Sequence, residues 1–196
     1  MRFVGIDPST KTGFVALDDG GIVLKQKELK GIGKEDPKRI VTLADEIMDH
    51  IRPGDFIVIE SPGFDTQRAV QAGWIHGSIR NELYKRGFQK NKDYFDVAPN
   101  AVKKFVNVTG WTGEVGSKRR LKGPEKKKAV MKAVEEHFGF THKSDNVVDA
   151  YIMAEIAKDL WTIKSGVECS LNSGFAPSYQ LEVLDKILNP EGKKAK

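Results

Sequence analysis

The chain has a single cysteine, Cys169, so no internal disulfide can form, which fits a reducing compartment. No apolar run approaches the roughly 20 residues that a membrane-spanning helix needs. The opening residues, Met1 to Asp7, lack the long apolar stretch of a secretion signal and read instead as a first strand. Histidine is scarce: His50, His76, His137 and His142 are scattered, and no pair has zinc-ligand spacing with Cys169. No internal repeat is visible. These absences argue against a disulfide-stapled secreted domain, a helical membrane protein, a zinc module and a solenoid. A soluble, cytoplasmic protein is the expectation.

What is present is enough for one large domain. The 196 residues are 39% hydrophobic and 30% charged, with a net charge of +5. A basic excess of this size favours a polyanionic partner without specifying one.

The hydrophobic pattern changes period along the chain. Arg2–Ile6, Phe14–Leu17 and Ile22–Leu29 read as three strands of an antiparallel meander, with Asp18-Asp19-Gly20-Gly21 as a hairpin turn. Ile40, Leu43, Ala44, Ile47, Met48 and Ile51 recur at helical spacing, and Pro53-Gly54 stops that helix. Asp55 to Glu60 is a strand with three successive β-branched apolar residues, Ile57-Val58-Ile59, as expected when both faces are buried. A helix over 66–86, a strand over Tyr94–Val97 and a helix from about Pro99 follow. Gly110–Gly123 reads as a basic loop. Pro124 opens a helix carrying Val130, Ala133, Val134, His137 and Phe138 on one face. A last core helix runs from near Ser144 to near Trp161. Trp74 and Trp161 read as packing residues. The expected organisation is a domain over residues 1–162, then an extension over 163–196 with one short helix, Ser178–Leu188, and a frayed basic tail. A meander followed by strand–helix alternation implies an α/β fold, a mixed sheet covered by helices.

Three carboxylates stand in costly places. Asp7 ends the first strand, Glu60 ends the buried strand, and Asp149 sits between Val148 and Ala150 on the last core helix. Charges so near a core are expensive unless paired or metal-bound. Should the first and fourth strands be neighbours, Asp7 and Glu60 converge at one sheet edge, and a helix packed over it can bring Asp149 to them. Close carboxylates repel, and a divalent cation removes the conflict. Oxygen ligands suit Mg²⁺ or Mn²⁺, and a pair of such ions roughly 4 Å apart is the clamp used for phosphodiester hydrolysis.

These residues carry a resemblance. Gly5-Ile6-Asp7-Pro8-Ser9-Thr10-Lys11-Thr12-Gly13 resembles the opening motif of RuvC-type Holliday junction resolvases, Val58-Ile59-Glu60 the second motif, and Asp145 to Ala154 the last, where an acid pair opens a helix. The match spans roughly residues 2–160. It implies a ribonuclease-H-like five-stranded mixed sheet flanked by helices. It also implies a divergent, phage-type member, acting in the cytoplasm of a bacterial cell or a phage-infected host. The implied activity is a crossover junction endodeoxyribonuclease that resolves branched DNA by paired symmetric nicks, using two Mg²⁺ per site with Mn²⁺ as a substitute. Alternatives are a nuclease acting on RNA–DNA hybrids and a catalytically inactive DNA-binding module. A sugar-kinase fragment, which the Gly5-Ile6-Asp7 strand permits, lacks room and a phosphate loop.

One position departs from the motif. The family's fourth ligand, three residues before the last aspartate, is here Asn146. Asp145, four residues before Asp149, shares a helix face with it and can supply the missing charge. Both stay candidates, beside the plainer reading that Ser144 or Asp145 caps the helix.

For DNA contacts, Lys118, Arg119, Arg120, Lys122, Lys126, Lys127, Lys128 and Lys132 are opposed only by Glu125. By resemblance Lys127, or Lys128 beside it, reaches the scissile phosphate. The resemblance also implies that Phe64 stacks on bases at the junction centre, beside the plainer reading of a turn aromatic covering the core, and that Arg68 joins the DNA contacts. The resemblance implies that the helix over 66–86 pairs two subunits, and its interior Gly73 and Gly77 suit a close helix approach, within one chain or between two.

Overall fold

The computed structural model describes residues 1–63, 69–113, 116–166 and 177–190. Five strands, β1 (Arg2–Asp7), β2 (Thr12–Leu17), β3 (Val23–Leu29), β4 (Asp55–Glu60) and β5 (Tyr94–Val97), form one sheet in the order β3-β2-β1-β4-β5. The β1–β2 and β2–β3 pairs are antiparallel, as the meander pattern implies, and β1–β4 and β4–β5 are parallel. Two helices connect these strands: α1 (Lys38–Met48) and α2 (Ala69–Lys85). After β5 come α3 (Pro99–Phe105), α4 (Gly123–Phe138), α5 (Asp145–Ser165) and α6 (Ser178–Leu188).

Strand alternation divides the apolar residues between two cores. Val4, Ile6, Phe14, Ala16, Ile57 and Ile59 pack with α1 and α2 on one face. Phe3, Val15, Leu17, Phe56, Val58 and Phe95 pack under α5 on the other, joined by Val183 and Leu184 of α6. Burial on both faces explains the unbroken run Ile57-Val58-Ile59, which has no exposed surface. No described helix is long and apolar enough to cross a membrane.

Helix α5 lies directly on β1 and β2, and two glycines make that possible. A Cβ on Gly5 would collide with the backbone of Ala150 and Ala154, and one on Gly13 with the backbone of Asn146. Backbone on both sides leaves nothing that can rotate away. Gly5→Ala is therefore expected to cost about 3 kcal/mol or more, the upper end of ordinary overpacking. Urea unfolding measures it, and a loss under about 1 kcal/mol would contradict the close contact.

Several sequence expectations are corrected. The segment Gly110–Gly123 is not a plain loop: it holds a two-stranded antiparallel ribbon, β6 (Trp111–Thr112) and β7 (Arg119–Arg120). Two-residue strands are too short to show a period. Helix α5 continues past Trp161 to Ser165, where Gly166 ends it with a positive φ of 64°. Trp161 does pack, edge-on against Phe56, but Trp74 is 58% exposed. His137 is also exposed, its Nε2 3.0 Å from the Tyr179 hydroxyl of α6, while Phe138 is half-buried against Tyr151. Cys169 and the tail over 193–196 lie outside the described residues.

Candidate active site

The β1–β4 register builds the site. Pairing runs from Arg2–Asp55 to Ile6–Ile59, so the next step sets Asp7 beside Glu60 at the carboxyl end of both strands. Alternation turns both toward α5, as it does Phe3, Phe56 and Val58. The opposite end of the ladder is clamped by a bidentate ion pair. Arg2 Nε donates to Asp55 Oδ1 at 2.9 Å and its Nη2 to Oδ2 at 2.6 Å, both groups being nearly buried. A one-residue slip would break this clamp and separate Asp7 from Glu60.

Helix α5 brings the third acid. Because Ala150 touches Gly5, its neighbour Asp149 is held over the strand ends. Asp149 and Asp145, one turn apart, both line a cavity of about 230 Å³ together with Lys103, Lys126 and Lys127. Asn146 does not line that cavity. It borders a separate depression with Lys11, Glu28 and His142, and its backbone carbonyl abuts Gly13. Neither capping reading holds: Ser144 occupies the cap position without a side-chain cap bond and donates to Glu28 at 2.6 Å instead. Asp145 forms an ion pair with Lys127. His142 accepts from the Ser144 backbone N–H at 3.0 Å and borders the Asn146 depression, not the cavity lined by Asp149.

Electrostatics mark the three acids as a group. Asp7, only 7% exposed, is raised well above the usual carboxylate range, first by burial and then by the charges of Glu60 and Asp149. Asp7 and Glu60 are close enough to share a proton between their carboxyl groups. Burial also raises Glu60, against the pull of Lys103. Asp149 is raised to about 6, again mainly by burial, with Asp145 adding repulsion and Lys103 opposing it. Among the described residues, no three acid, histidine or cysteine side chains close into a finished metal cage. An all-oxygen, hard donor set in which one carboxyl has to hold a proton beside another fits Mg²⁺ or Mn²⁺.

Three contributors were not legible in the sequence. Lys103, on α3, faces all three acids electrostatically and lines the cavity beside Asp149. It is one of 32 basic residues, and only its place after β5, adjacent to the end of β4, sets it apart. Arg80 of α2 donates to the Glu60 carbonyl at 3.0 Å and pairs with Asp96 at 2.6 Å, so it fixes the backbone under Glu60. His76 is buried next to Arg80, and burial pushes it down to about 4, so it stays neutral near pH 7.

The basic segment is at the surface beside the site. Lys118, Arg119, Arg120, Lys122, Lys127 and Lys128 are exposed, and Lys126 is half-buried in the cavity wall. Arg119 is held by Glu125 through two bonds of 2.9 Å, which tie the ribbon to the first turn of α4. Phe64 and Arg68 lie outside the described residues. On α2, Gly73 and Gly77 have nothing within 4 Å of a built Cβ, so among the described residues no helix contact requires them.

No protein-family model matches this sequence, and no curated protein sequence matches it. Solved structures do. RuvC of T. thermophilus in complex with a Holliday junction substrate superposes with a TM-score of 0.57 at 19% identity, over 85% of this chain and 96% of that one. A second T. thermophilus RuvC structure gives 0.55 at 20% identity, over 85% and 97%. A likeness at this identity is one of architecture, and it agrees with the sheet order and the helices that flank the sheet: the chain has the RuvC-type, ribonuclease-H-like fold.

Proposed function

We propose that this protein is a metal-dependent endonuclease acting on branched DNA, and that it resolves four-way junctions by paired nicks. The observation that carries the reading is the acid group. Asp7 and Glu60 stand side by side at the sheet edge, Asp149 is held over them by α5, and all three resist ionising. Burying repelling carboxylates weakens the fold, and an evident return is cation binding.

Asp7, Glu60 and Asp149 would hold the ions, with Asp145 adding its charge from the same face of α5 and Asn146 less suitably placed. Bound divalent cations would offset phosphate charge, sharpen a water as nucleophile and stabilise the departing 3′ oxygen. The protein's own cations do the rest. Lys103 and Lys127 sit in the cavity wall, where an ammonium opposes the charge that builds on the phosphate as water adds and the 3′ oxygen leaves. Nicks would carry 5′-phosphate and 3′-hydroxyl ends. The exposed basic residues of β7 and α4 would hold the backbone on either side. The RuvC structure bound to a Holliday junction supports this choice of substrate.

Two cuts placed symmetrically need two sites. The outer face of α2 exposes Val70, Trp74 and Tyr84 around the open Gly73 and Gly77, an apolar stripe suited to a second copy. Incubation with a synthetic immobile four-way junction tests the reading. Paired, symmetric nicks with Mg²⁺ and none with chelator are expected. Absence of nicks would reject it, and preferential cutting of an RNA–DNA hybrid would favour the other ribonuclease-H-like activity.

A further inference from the structure

A second cavity, of about 690 Å³, adjoins the acidic one. Lys103 and Lys126 line both, so a strand leaving the acids enters it directly. One wall is α3, with Lys104. The other is the ribbon, where Trp111 pairs across from Arg120, which places both side chains on one face. Trp111 is 57% exposed. The ribbon's inner end is braced: Leu121 N donates to the Gly110 carbonyl at 2.9 Å, and Arg119 is held on Glu125. Lys126 is lowered by partial burial and by the charges of Lys103 and Arg120, a crowding of cations that an anion relieves.

We propose that this groove takes unpaired nucleotides of the DNA strand next to the scissile phosphate, with Trp111 stacking on a base. The inference rests on the nuclease reading and goes beyond it by naming the strand's path. An exposed indole flanked by cations is the chemistry of a single-strand platform. Base faces in an intact duplex are covered by their neighbours, so the indole has no flat partner there. Phosphates fit Arg120, Lys104 and Lys126 in either case, and the stacking partner is what selects unpaired DNA. Lys104 already bonds Glu182 of α6 and would exchange that surface pair for a phosphate.

Binding is measured on the full-length chain in chelator, so that cleavage plays no part. The probes are a four-way junction with a short unpaired thymine stretch at the branch point and a linear duplex of equal length. Trp111→Ala should weaken junction binding about tenfold, leave duplex binding within about twofold, and be restored by Trp111→Phe. Equal affinity of Trp111→Ala and wild type for the junction would overturn the proposal, as would equal losses on both probes or failure of the phenylalanine variant to restore binding. The nuclease reading fails separately, through absent nicking with Mg²⁺ while the Trp111 effect persists.

Discussion

Asp7→Asn should reduce cleavage at least about a thousandfold, equivalent to about 4 kcal/mol of transition-state stabilisation, while junction binding persists. The two side chains have the same shape, so packing at the end of β1 is preserved. The change removes an ionisable oxygen beside Glu60 and Asp149 that a bound cation would use. It also relieves the pair Asp7–Glu60 of its need for a proton, so the variant should fold at least as well as wild type. Of the exposed cations of β7 and α4, which would carry the affinity, Lys127 faces Asp7 electrostatically but is ion-paired with Asp145. A nicking assay with Mg²⁺, beside a gel shift in chelator, separates the two effects. Near-normal cleavage would remove Asp7 from the mechanism, and parallel loss of binding would make its role structural.

The second large effect concerns stability and has an unusual sign. Burial raises Asp149 from 3.8 to about 6. The folded chain therefore holds this proton more tightly than the unfolded chain does. Stability is highest below the unfolded value and falls as pH rises from about 4 through about 6, with a loss on the order of 3 kcal/mol complete above that window. Asp7 and Glu60 are shifted the same way and add to the loss. Asp149→Asn should then be inactive yet more stable at pH 8, by about 5–10 °C in Tm, with little difference at pH 4. Divalent cations should stabilise wild type at pH 8 and much less at pH 5, where protons compete, and should do little for the variant. Thermal melts at the two pH values, with and without Mn²⁺, decide the matter. A Tm gap between variant and wild type that does not widen with pH would contradict this account of the buried acids.

Much of the design is visible in local pattern. Alternating and continuous apolar runs identify all five sheet strands, and the 3.6-residue spacing identifies α1, because each pattern is written over neighbouring residues. Asp7 and Glu60 stand out for the same reason: each is an acid placed straight after a buried strand. What no local window contains is a meeting of distant segments. The parallel pairing that sets Asp7 beside Glu60, 53 residues on, follows from the Arg2–Asp55 end of the same ladder. Lys103 and Arg80 matter only because α3 and α2 pack at that edge, and one lysine or arginine in a basic chain carries no mark of its neighbours. Asp145 and Asn146 are adjacent in sequence, yet a rotation of about 100° about the α5 axis turns one toward the acids and the other toward β2 and β3. Trp74, expected to pack and found exposed, shows the same division. An indole's composition predicts burial, but whether a helix face or a ribbon finds a partner depends on where the rest of the chain comes to lie.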